Sequence, residues 1–157
     1  MKATICVSVF IHFLFSGMKK GVLILVLTLA IFSCKKNRNH PVANIPFDIS
    51  INISLPSYSE LQGVGGWTYV TGGVKGIIVY RKSYDQFVAF DRQSPADGGL
   101  DCATPLTPDS TNFLQLNDVC TGATFSLYDG SPMSNSDFGL RQYQVVWDGN
   151  LMVRIYN

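Results

Sequence analysis

The chain has 157 residues, 46% of them hydrophobic, with 12 Lys and Arg against 11 Asp and Glu. That length holds one domain with room for a targeting segment. Beyond Asn39 the basic residues are only Lys75, Arg81, Lys82, Arg92, Arg141 and Arg154, against 11 acidic ones, so the basic face that nucleic acid requires is missing and no such partner is expected.

Residues 1–33 read as a signal segment. Met18-Lys19-Lys20 opens a basic region, and the apolar run 21–32 is short for a bilayer span. The stretch 2–17 is apolar too and reads as translation from an upstream Met, with Met18 the expected true start. Ile31-Phe32-Ser33-Cys34 resembles the lipobox of bacterial lipoprotein signals. That resemblance implies cleavage before Cys34, lipidation of its sulfur, and attachment to a membrane of the cell envelope, facing the periplasm or the cell surface. The alternative is an uncleaved membrane anchor made of both apolar stretches, which leaves Cys34 unexplained. Residues 34–45 are polar, carry Lys35, Lys36, Arg38 and Pro41, and read as a tether.

The folded domain is expected over 46–157. Phe47, Ile49, Ile51, Ile53 and Leu55 alternate with polar residues, the pattern of a half-buried strand ended by Pro56. Strands follow at 67–70, 74–80 and 87–90, separated by Gly63, Gly65 and Gly66 and by Gly72-Gly73. Residues 97–112 form one long irregular segment, and in small domains such loops are commonly functional or tied down. Short strands are expected at 113–116 and 123–127, with a turn at Asp129-Gly130. At the end, Tyr143, Val145 and Trp147 alternate into Asp148-Gly149, and Leu151, Val153 and Ile155 alternate out, which predicts a hairpin closed by a type I′ turn. The fold class is therefore all-β, an antiparallel sandwich or barrel of short strands.

Two further segments carry a resemblance. Phe90-Asp91-Arg92 leads into Ser94-Pro95-Ala96, and Cys120-Thr121-Gly122-Ala123 precedes a strand and Asp129-Gly130-Ser131-Pro132. In that order they resemble the two cluster boxes of Rieske [2Fe–2S] domains, Cys-x-His and Cys-x-x-His, and the similarity extends from about Ile45 to the end. A cluster of that kind takes two thiolates on one iron and two imidazoles on the other. Laid on the pattern, Ser94 stands at a Cys position and Ala96 and Ala123 at the His positions, leaving Cys120. The chain has two histidines, His12 in the signal segment and His40 in the tether. The resemblance therefore implies a Rieske-like domain whose cluster positions are degenerate, with no cofactor and no metal. Neither a thiolate-only cluster nor a structural zinc finds enough ligands here.

Of four cysteines, Cys6 and Cys34 belong to targeting. Cys102 and Cys120 remain, and an exported setting favours a disulfide between them, with two free thiols as the alternative. The resemblance adds that both lie in neighbouring loops at one tip, where the bridge would hold loops that the cluster otherwise joins. Ser94, Ser126 and Ser131 have no His for a triad. Trp67, Tyr69, Tyr80, Tyr84, Tyr128 and Tyr143 are expected mostly in the core or in cross-strand pairs, a recognition surface being the alternative. The expectation is a non-enzymatic, membrane-tethered module that binds a protein or ligand of the envelope. The alternative is a Rieske-type [2Fe–2S] electron-transfer protein, an oxidoreductase subunit.

Overall fold

The computed structural model describes residues 39–157, and the expectations for Met18, Cys34 and the rest of the signal segment lie outside those residues. The compact unit described here runs from His40 to Asn157 and is all-β. Its elements are β1 Asp48–Asn52, a 3-10 helix Pro56–Gln62, β2 Trp67–Val70, β3 Ile77–Arg81, β4 Phe87–Asp91, a 3-10 turn Gly99–Asp101, β5 Thr107–Pro108, β6 Gln115–Asn117, β7 Thr124–Ser126, β8 Pro132–Ser134, β9 Gln142–Trp147 and β10 Met152–Tyr156.

All pairings are antiparallel. One sheet has six strands in the order β1-β10-β9-β4-β3-β2, and the other has four in the order β5-β6-β7-β8. Every residue of β3 and β4 is buried, because these two strands are covered on both faces. The period-two alternation deals their side chains to two cores. Ile77, Val79, Phe87 and Ala89 face Ile51, Ile53, Val153 and Ile155 of the same sheet, which buries its own face under Leu61 and Tyr58 of the 3-10 helix. Ile78, Tyr80, Val88 and Phe90 face Leu106, Leu116, Phe125 and Leu127 of the four-stranded sheet and its loops.

Several expectations change in detail. Pro56 does end β1's segment, and it also starts the helix 56–62, where its fixed φ suits the first turn. The strand expected at 74–80 begins only at Ile77, since the preceding loop turns at Gly72, Gly73 and Gly76, all with positive φ. β8 was not expected at all. The closing turn is not type I′: among residues 148–151 only Gly149 has positive φ, and Asp148 N–H donates to Met152 O at 3.1 Å, so Gly149, Asn150 and Leu151 form a longer loop. Asp148 Oδ1 accepts from Asn150 N and Met152 N and stabilises that wider turn.

The compact unit also begins at His40 rather than at Pro46. Val42 is fully buried, and Arg141 Nε donates to its carbonyl at 2.8 Å. His40 Nε2 lies 2.9 Å from Gly139 O, and Asn157 Nδ2 donates to Asn44 Oδ1 and Ile45 O. A polar composition masked this segment, whose contacts are mostly backbone carbonyls and side-chain amides. The expected aromatic core is partial: Tyr80 and Tyr143 are buried, whereas Tyr69, Tyr84 and Tyr128 are exposed.

Candidate functional site: two joined loops

β4 ends at Asp91, a fully buried carboxylate that organises the turn beyond the strand. Its Oδ2 accepts from Tyr143 OH and Val74 N, and its Oδ1 from Gln93 N at 2.7 Å and Lys75 N at 3.3 Å. The chain then turns into the first loop, which holds Ser94 and Ala96. Gln93, also buried, donates its amide to Gly99 O at 2.7 Å and to Ser94 O, tying the loop's two limbs together. Gly99 N bonds Ala96 O, and Leu106 N bonds Arg92 O where the loop closes.

The second loop connects β6 to β7 and is short because Asp118 closes it twice. Asp118 N donates to Ala123 O, and Gly122 N, at a positive-φ glycine, donates to Asp118 O. The Asp118 side chain turns back on its own loop: Oδ1 accepts from Cys120 N at 2.9 Å, and Oδ2 from Thr121 Oγ1 at 2.7 Å. Burial of this carboxyl raises its pKa, but hydrogen bonds from Ser94, Thr121 and two backbone amides outweigh it and hold the pKa below the ordinary value.

Among the described residues, Ser94, Ala96, Cys102, Cys120 and Ala123 come from the two loops and their shared core. Ser94 Oγ accepts from Ala96 N at 3.3 Å, and it and Asp118 Oδ2 both lie against Gly99, so the two loops meet there. Ala96 and Ala123 are both buried in the apolar core that also holds Leu106, Leu116, Phe125 and Leu140. Cys102 and Cys120 form a disulfide with Cα atoms 5.8 Å apart, within the span that such a bond needs. Cys102 is buried and Cys120 exposed.

A diiron cluster with two imidazole and two thiolate ligands does not fit this donor set. Ala96 and Ala123 offer methyl groups. Ser94 offers a hydroxyl that accepts from its own loop at Ala96 N, and the one described histidine, His40, sits against Gly139. The Cys102 and Cys120 sulfurs and an Asp118 oxygen do lie within 4.8 Å of one another. The sulfurs, however, are bonded to each other, and both carboxylate oxygens accept hydrogen bonds.

Asp118, Gln93 and Gly99 were missed by sequence reasoning. A Cβ on Gly99 would stand 2.5 Å from Ser94 Oγ and 2.9 Å from Asp118 Oδ2, so only glycine lets the first loop close over this pair. Asp118 did carry a signal. An Asp two residues before a loop residue whose N–H needs a partner is the pattern of an Asx turn.

No protein-family model matches this sequence, and no curated protein matches it either.

Proposed function

We propose that this protein is a membrane-tethered, non-enzymatic binding module of the cell envelope, built on a Rieske-like β domain whose cluster positions have been converted to packing. One observation carries the reading. The four positions aligned with cluster ligands converge at one place, yet they fill it with two methyl groups, a Ser94 hydroxyl that accepts from Ala96 N close to the Asp118 carboxylate, and half of a disulfide. Together these do what ligation would otherwise do for two loops: they join them. A disulfide closing this segment stabilises by roughly 3 kcal/mol on chain-entropy grounds, and the buried alanines add apolar contact without a polar atom left to satisfy. The tether rests on the Ile31-Phe32-Ser33-Cys34 sequence and its resemblance to lipoprotein signals.

Two measurements test it. The full chain, expressed anaerobically with iron supplied, is expected to be colourless and to carry no stoichiometric iron. A reproducible charge-transfer absorption with about two irons per chain would instead support the electron-transfer reading. For the tether, fatty-acid labelling in a bacterial host is expected to mark the wild-type chain and not Cys34→Ala. Equal labelling of both removes the anchor from the proposal.

A further inference from the structure

The six-stranded sheet has a second polar feature, at its β2 edge and independent of the tether and of the degenerate cluster positions. A cavity of about 520 Å³ opens between β2's last residues, the loop 71–76 and Arg92. Arg92 is held there from two sides. Its Nε donates to Leu106 O at 3.0 Å, and its guanidinium lies over the Tyr69 ring with 3.6 Å between Cζ and the ring centroid. Among the described residues its two terminal nitrogens make no hydrogen bond and no ion pair. Stacking of this kind removes the rotamer freedom that an arginine would lose on binding, and it presents the planar fork to one side.

The surroundings match the fork in charge. Lys75 lines the same cavity, and no acidic residue does. Asp91, the nearest carboxylate in sequence, is fully buried on the inner side of the loop with both oxygens bonded. Gly76 brings the loop backbone close: a Cβ there would stand 3.8 Å from Arg92 Nη1. Six basic residues face 11 acidic ones over this part of the chain, so a pocket lined by two cations and no anion departs from the rest of the domain. The pocket is open to solvent on one side, so a group wider than a bare oxyanion can carry its charged end into it.

We infer that the Arg92–Lys75 pocket binds the carboxylate or phosphate group of a small organic anion, gripped by the Arg92 fork with Lys75 as the second charge. Specificity for an oxyanion follows from geometry, because a planar guanidinium donates two parallel hydrogen bonds to such a group.

The test monitors backbone and Arg92 side-chain NMR resonances of the full chain in detergent micelles, titrated separately with inorganic phosphate and with acetate. A saturable shift confined to residues 69–76 and Arg92 with either probe supports the proposal. Whichever anion saturates names the class of the ligand group. The midpoint is expected to rise about tenfold or more in Arg92→Gln, which loses a charge-assisted pair, and less in Arg92→Lys, which keeps the charge but not the fork. Lys75→Gln, whose side chain makes no hydrogen bond among the described residues, should weaken binding about threefold through the lost charge alone. Absence of saturation with both probes by about 100 mM, or midpoints unchanged in Arg92→Gln and Lys75→Gln, overturns it.

Discussion

The phenol of Tyr143 donates to Asp91 Oδ2 at 2.6 Å, joining the start of β9 to the last residue of β4 beneath the loop 73–75. Burial, and then the bond and charge of Asp91, push the phenol's pKa far above its ordinary value of 10.0. Tyr143→Phe leaves Asp91 buried with one donor fewer, at a cost of about 1–3 kcal/mol. The urea midpoint should drop with an unchanged m-value. The folded phenol holds its proton more tightly than the unfolded one, so its contribution is complete below about pH 10 and lost above it. Wild type should therefore lose more stability than Tyr143→Phe between pH 9 and pH 11, and parallel losses would refute the assignment.

Acid should act on the opposite set of groups. Asp118 is held below the ordinary carboxyl range, and Asp129 is lowered to about 2 by the Ser126 and Ser131 hydroxyls and the Ser131 amide. Such groups bind protons more weakly when folded, so their contribution is present above the unfolded value of 3.8 and drains away as pH falls below it. Denaturation midpoints should decline from about pH 4 towards pH 2. Asp118→Asn, which cannot titrate, should start about 1–3 kcal/mol lower at pH 7 and decline less steeply.

Reducing the Cys102–Cys120 bridge should lower the melting temperature by the equivalent of about 2–4 kcal/mol while the β signature persists, since the sheets keep their own cores. Thiol titration of unfolded chain should find two more thiols after reduction than before. Equal counts would mean that the pair was already reduced.

Gly99→Ala tests the closure of the first loop. The added methyl meets Ser94 Cβ as well as its hydroxyl, and overpacking of this kind costs about 1–3 kcal/mol. Ser94→Gly removes two of the three crowding atoms and leaves Asp118 Oδ2, so the double variant should be less destabilised than the sum of the singles. Strict additivity would show that the two residues do not press on one another.

The strands were legible where alternation or unbroken apolar runs declared them. Trp67–Val70 falls where it was expected, and β4 extends its expected range by Asp91 alone. What stayed hidden was polar. β8 is a short edge segment, Pro132-Met133-Ser134, with all three residues exposed, so no hydrophobic pattern marks it. The packed segment 40–45 is held largely by bonds to carbonyls, which sequence does not display. At the site, the cysteine pair was legible because residues 39–157 hold only these two cysteines. Asp118 was not, because a buried carboxylate and a surface turn residue look alike until the chain is folded around them.

Because β3 and β4 are walled in on both faces, the two cores are two sides of one ladder. Opening the joined loops strips cover from Ile78, Val88 and Phe90, whereas opening the curled face strips it from Ile77, Val79 and Ala89. Either excursion can leave β3 and β4 paired with each other. Amide protons bridging these two strands should therefore exchange last, at the rate set by global unfolding alone, while those of β5 to β8 exchange through smaller openings that the disulfide restrains.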